Sequence, residues 1–167
     1  MLYFAPPSSG VWYLRTKEHN LSVDTNDLYL YNRNIKFHYD IQNMQGINDN
    51  TYDVIICSHI LEHVADDRRA LKELYRVVKE KGIVLILVPL DLKKAWLDEE
   101  NGLSESENWK RFGQTDHVRR YTNDEIIKRI KEAGFRCSVI TRDDISKEIV
   151  RQNAFHKNIR IYLAEKR

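Results

Sequence analysis

His59 and His63 stand four residues apart, with Glu62 directly before the second, in the stretch CSHILEHV over residues 57–64. On a helix that spacing would put both imidazoles on one face, and H-x-x-E-H is a spelling used by zinc hydrolases. Such an enzyme needs both histidines on one continuous helix, with a further carboxylate elsewhere. The run before them, DVIICS (53–58), is almost continuously apolar, as in a strand covered on both faces. Asp66 opens the next helical pattern. That leaves about six residues, or about one and a half turns, for a metal-binding helix. The histidines are therefore read as a strand end and the turn after it, holding no structural zinc.

The elements around this turn define where else chemistry could sit. LYFA (2–5), LSVD (21–24), IKFHYD (35–40) and DVIICS read as strands, and IVLILVPL (83–90) reads as the central one. DDRRALKELYRVVKEKG (66–82) repeats Leu71, Leu74, Val77 and Val78 at helical spacing, and Gly82 is the expected stop. A short helix is expected over 11–18, with Ser8 or Ser9 as its cap. Residues 122–133 begin with Thr122 and Glu125 in capping-box spacing. FRCSVIT (135–141) and IRIYLAE (159–165) complete the strands. Strands alternating with helices predict an α/β chain with a mostly parallel sheet. Ligands of such sheets bind outside the carboxyl ends of the strands. The residues that follow each strand are then APPSSG, Asp24, Asp40, and Ser58 with His59. An acid ending the second strand can accept from both hydroxyls of a ribose, and an acid ending the third can accept from an adenine amino group.

Whole-chain properties narrow the class. With 167 residues, a single domain over 1–167 is expected, and 42% hydrophobic with 31% charged residues is ordinary for a globular chain. A net charge of +2 gives no case for nucleic acid or an anionic membrane as partner. No apolar run approaches the roughly 18 residues of a membrane span. MLYFAPPSSG lacks the basic start and long apolar core of a signal peptide. Cys57 and Cys137 fall in strand-like runs and read as reduced thiols of a cytoplasmic protein.

The stretch from His38 to Pro89 resembles the central part of class I S-adenosylmethionine-dependent methyltransferases: an acid, a short turn, an aromatic-Asp pair opening an apolar strand, then L-E-H and a helix running into glycine and the next strand. LYFAPP (2–7) and FGQTDHVRRY (112–121) are similar to a subgroup reading L-H-F-A-P-E and F-G-Q-x-D-H-V-R-x-Y. The resemblance implies a Rossmann-like sheet of seven strands, mostly parallel, with an antiparallel last strand and S-adenosylmethionine as cofactor. It implies Asp24 and Thr25 at the ribose, Asp40 and Ile41 at the adenine, and Ser58 and His59 near the methionine end. Ala5, Pro6, Pro7 and Gly10 form the first loop. There the usual three glycines are replaced by Pro6, Ser8 and Gly10, and the usual acid by Phe4. A binding module of this fold without catalysis is the alternative those departures suggest. A nucleotide-dependent oxidoreductase lacks its G-x-G-x-x-G. Some ubiquinone-pathway O-methyltransferases carry E-x-x-E-H and a divalent ion at a similar place. No metal ligand is assigned here, and an ion at His59, Glu62 and His63 is the alternative.

Methyl transfer from a sulfonium asks the protein to align the acceptor and exclude water, and an oxygen or nitrogen acceptor must also lose a proton. His59 and His117 are the candidate bases. Residues 91–121 show no clear period and are expected to form a lid carrying Asp116, His117 and Arg119 toward the acceptor. Trp96 and Trp109 are expected to anchor that lid. The expected acceptor is a small molecule or a glycan intermediate.

Overall fold

The computed structural model describes residues 1–7, 10, 14, 21–28, 35–152 and 155–167. The helix expected over 11–18, and Ser8 and Ser9, lie outside them except for Leu14. Among the described residues the sheet has six strands in the order β2-β1-β3-β4-β8-β7. These are β1 Leu2–Phe4, β2 Asp24–Asn26, β3 Tyr52–Ser58, β4 Val78–Leu87, β7 Arg136–Thr141 and β8 Arg160–Glu165. β2, β1, β3 and β4 run parallel, while β8 is antiparallel to both β4 and β7. The connecting helices are α1 Asp67–Val77, α2 Glu105–Phe112, α3 Asn123–Glu132 and α4 Lys147–Gln152. β5 Asp98–Glu99 and β6 Arg119–Arg120 form a separate ribbon.

The apolar period of α1 buries Ala70, Leu71, Leu74 and Val77 completely against the sheet, where they meet Ile55, Cys57, Val84 and Ile86. Asp66 caps the helix by accepting from Arg69 N at 3.0 Å. The helix stops at Val77, five residues before Gly82, because the turn before β3 captures its last carbonyls. Asn50 N donates to Arg76 O at 2.9 Å and Thr51 N to Val77 O at 2.8 Å. Val78 then pairs with Tyr52, and the register jumps to Val54 with Ile83, so residues 79–82 bulge out. Lys81 takes a left-handed φ of 64° inside that bulge. A Cβ on Gly82 would lie 2.8 Å from the Lys79 carbonyl, so glycine serves the bulge and not a helix end.

Seven strands were expected and the main sheet has six, because the 35–40 run pairs at one residue only. Phe37 bridges Asn26, and beyond it the Asn26 side chain replaces the ladder. Its amide donates to Tyr39 O and accepts from Tyr39 N, both at 2.9 Å. The second strand lies three residues later than its apolar run suggested, at Asp24–Asn26. Segment 91–121, expected to be irregular, holds α2 with a full Ser104–Glu107 capping box and both strands of the ribbon. At α3, Thr122 accepts from Glu125 N at 3.3 Å, so that half of the expected box is present. Trp96 and Trp109 are 70% and 59% exposed and do not anchor the segment; Phe112, Arg119 and Tyr121 are buried and do. No helix among the described residues is long and apolar enough to cross a membrane. Both cysteines are free, and Cys57 is buried.

Candidate functional site

Two sharp turns frame the carboxyl edge of the parallel strands. Ala5, just after β1, has φ 39°, and His59, just after β3, has φ 55°. Left-handed backbone at a residue with a Cβ costs roughly 1–3 kcal/mol and persists where surrounding bonds enforce it. Here Ala5 N donates to Asn26 O at 2.8 Å and His59 N to Leu87 O at 2.9 Å. Both turns open on one cavity of about 320 Å³, lined by Ala5, Asn26 and Asp27 on one side and by His59, Ile60 and His63 on another. Tyr39, Asp40 and Ile41 form a third wall. The volume suits a small organic ligand. Gly46 makes room for this wall, since a Cβ there would overlap the Tyr39 hydroxyl.

Of the residues expected to hold a cofactor, Ala5, Asp40, Ile41 and His59 line this cavity. Asp40 also accepts from Gln42 N at 2.9 Å, a turn that fixes its carboxylate. Asp24 is displaced from its expected place. It begins β2 and does not end it, and its carboxylate takes Lys36 Nζ at 2.7 Å and the Tyr52 hydroxyl at 3.0 Å. The acid at the carboxyl end of β2 is Asp27, which the apolar run could not reveal because its boundary was misplaced. Thr25 is fully buried, and Pro6, Pro7, Gly10 and Ser58 do not line the cavity. Pro6 is buried, and Gly10 N closes a turn onto Pro7 O at 2.9 Å.

A second cavity of about 640 Å³ opens at the carboxyl end of β4, lined by Leu87, Leu90, Asp91, Arg120 and Arg160 among others. His59 lines both cavities. Glu62, fully buried, holds His59 Nδ1 at 3.1 Å through Oε1, and its Oε2 has no partner among the described residues. His63 Nδ1 meets Asp116 at 3.1 Å, and His117 stacks edge-on behind His63 with centroids 4.6 Å apart. Ligand atoms of Glu62, His63 and His117 lie within 4.8 Å of one another. The acid–imidazole group thus forms around His117, and His59 is outside it, unlike the His59, Glu62 and His63 set considered from sequence. His117 lines neither cavity.

Arg119 was expected at the acceptor and is placed elsewhere. Its guanidinium is fully buried, bonded to Glu99 at 2.7 Å and to the carbonyls of Leu61, Val64 and Ala65 at 2.5, 2.5 and 2.9 Å. Arg129 joins Glu99 and Asp67 from α3, and the Tyr121 hydroxyl donates to Asp67. Burial works against charge on Glu99, but bonds from Arg129 and Arg119 outweigh it and hold the carboxyl below its usual range. The network braces the 60–65 turn from below. Successive strand residues face opposite ways, so it is Arg120 that reaches the second cavity.

The two candidate histidines are shifted in opposite directions. The Glu62 hydrogen bond raises His59 above its ordinary 6.5, against the effect of partial burial. Burial first, then the neighbouring His63, lowers His117 below 6.5. At pH 6.5 we expect His59 to be more than half protonated and His117 less than half. His59 then contributes stability that is complete below its unfolded pKa and lost as pH rises through its folded value. His117 contributes stability present above its unfolded pKa and lost as pH falls through its folded value. Proton NMR titration of the imidazoles checks this, and the reverse order of the two would contradict it.

A mostly parallel sheet with a cavity at its carboxyl edge, an acid after its second strand and an acid-held histidine after β3 define a Rossmann-like fold. The chain matches the methyltransferase domain family over residues 8–138, and it belongs to that family. The ubiquinone biosynthesis O-methyltransferase of Rickettsia bellii is 35% identical over 77 residues, covering 46% of this chain and 32% of that protein. The demethylmenaquinone methyltransferase of Thermotoga maritima is 30% identical over 104 residues, covering 54% and 45%. The chain thus spans less than half the length of these curated relatives. Among solved structures, a SAM dependent methyltransferase from Archaeoglobus fulgidus superposes with TM-score 0.63 at 15% identity, over 99% of this chain and 85% of that one. Phosphoethanolamine N-methyltransferase 2 of Haemonchus contortus, in complex with S-adenosyl-L-methionine, gives 0.63 at 17% identity over 99% and 48%. At these identities the structural likeness carries the fold.

Proposed function

We propose that this chain is an S-adenosylmethionine-dependent methyltransferase acting on an oxygen or nitrogen of a small molecule. The observation that carries this reading is the pair of cavities along the carboxyl edge that share His59. The smaller cavity fits the methyl donor. Asp27 would take the ribose hydroxyls, Tyr39, Asp40 and Ile41 would surround the adenine, and the Ala5 and His59 turns would hold the methionine end. The donor supplies an activated methyl group on sulfur. The second cavity brings the acceptor to the same histidine. With Nδ1 held by Glu62, Nε2 is the ring nitrogen that would take the acceptor's proton, and the donor would leave as S-adenosylhomocysteine. Glu62 makes His59 a stronger base than a free imidazole. His117, behind His63, is assigned no contact with the acceptor and supports the turn. Arg119 is assigned a positioning role. The named relatives support an enzyme over a module that only binds.

Incubation with S-adenosylmethionine and a panel of phenols, amines and hydroxyl-bearing sugars tests the reading. We expect an acceptor to gain one methyl group as S-adenosylhomocysteine accumulates, and His59→Gln to slow this about 100-fold or more. Equal rates in His59→Gln and the wild type would remove His59 as the base.

A further inference from the structure

The cavity at the end of β4 has an unusual charge arrangement. Leu87, Leu90 and Ile159 give it apolar walls, while Lys93, Arg120 and Arg160 line it against one carboxylate, Asp91. Among the described residues none of the three cations forms an ion pair. Asp91 accepts instead from the backbone N of Lys93, at 3.0 Å. Arg120 donates to the Phe112 carbonyl, and Arg160 reaches only the Ile159 carbonyl at 3.4 Å. Of the ten other described arginines, six meet a carboxylate, among them Arg76, Arg111, Arg119 and Arg129. Two arginines lining one cavity, neither paired with a carboxylate among the described residues, would favour an anion bound there. The guanidinium fork also matches carboxylate and phosphate oxygens in pairs.

We infer that the acceptor is an organic anion, an apolar body bearing a carboxylate or a phosphate monoester, and that Arg120 and Arg160 hold its charged group while the body lies along Leu87, Leu90 and Ile159. The inference rests on the methyltransferase reading for the word acceptor, but the anion site stands on the cavity alone. It explains why the chain carries two arginines in succession at 119 and 120. One braces the site from inside the core, and the other faces the ligand.

Calorimetry with benzoate, phenyl phosphate and uncharged benzamide, on protein with and without S-adenosylhomocysteine, tests it. Saturable binding of at least one anion is expected, about tenfold or more tighter than benzamide, the scale of hydrogen bonds between charged groups. The stronger anion identifies the headgroup. Arg120→Gln and Arg160→Gln should each erase most of that preference while leaving benzamide and S-adenosylhomocysteine binding unchanged. Among the described residues the Arg160 side chain makes a single hydrogen bond, the long one to Ile159, so Arg160→Gln should fold even if Arg120→Gln does not. Benzamide binding as tightly as both anions, an anion preference intact in Arg160→Gln, or no saturable anion binding would each overturn the inference. Binding of S-adenosylhomocysteine without anion preference would overturn this inference alone. Anion binding without S-adenosylhomocysteine binding would overturn the donor reading alone.

Discussion

Replacing Arg119 by methionine is expected to remove about 3–5 kcal/mol of folding stability, the scale of breaking a buried ionic network. Methionine fills much of the same volume but donates nothing. Glu99 and Asp67 keep Arg129. The Val64 carbonyl loses its Arg119 donor, those of Leu61 and Ala65 keep only long bonds at 3.4 Å from the Tyr121 hydroxyl and the Asn101 amide, and each buried polar group left unpaired costs roughly 1–3 kcal/mol. Arg119→Lys should recover only part of the loss, because one ammonium cannot reproduce a fork that serves a carboxylate and three carbonyls. Urea unfolding measures both variants. The carbonyls lie on the turn that carries Glu62 and His63, so the same substitution should loosen the wall of the smaller cavity. A loss below about 1 kcal/mol would show that the 60–65 turn holds its shape without Arg119.

The sheet was legible where a run is apolar on both faces. DVIICS became nearly all of β3 and IVLILVPL the second half of β4, and 135–141 and 159–165 became the two antiparallel strands. Errors arose where side-chain bonds replaced the periodic signal. The end of α1 was set by backbone bonds from residues 50 and 51, which hydrophobic period cannot show. The 35–40 strand was cut short by one asparagine amide. For the site, the turn at His59 and the acid at Asp40 could be read from the residues that follow apolar runs. Asp27 was missed because β2 is three residues long and wholly polar, so its end had no marker. Arg119 and Arg120 were indistinguishable in sequence, because a two-residue strand sends them to opposite faces and only the ribbon's docking decides which is buried. The pairing of Glu62 with His59 could have been found from their spacing, once the turn reading had replaced the helix.

Asp27→Ala is expected to weaken binding of S-adenosylhomocysteine by about 1.5–3 kcal/mol, or roughly 10- to 150-fold, the scale of losing hydrogen bonds to a charged acceptor. Asp24→Ala should change that affinity little. Its carboxylate is occupied by Lys36 and Tyr52, and its loss is paid in stability of the β2 edge. The contrast separates a site at the carboxyl end of β2 from one at its start: Asp24 is the first residue of the strand and Asp27 follows its last. The most direct measurement of the central claim is therefore calorimetric titration of S-adenosylhomocysteine into the wild type, Asp27→Ala and Asp24→Ala. The structure predicts one site per chain in the wild type, a loss of affinity in Asp27→Ala and near wild-type affinity in Asp24→Ala. Absence of saturable binding to the wild type, or weakening by Asp24→Ala with Asp27→Ala unaffected, would contradict it.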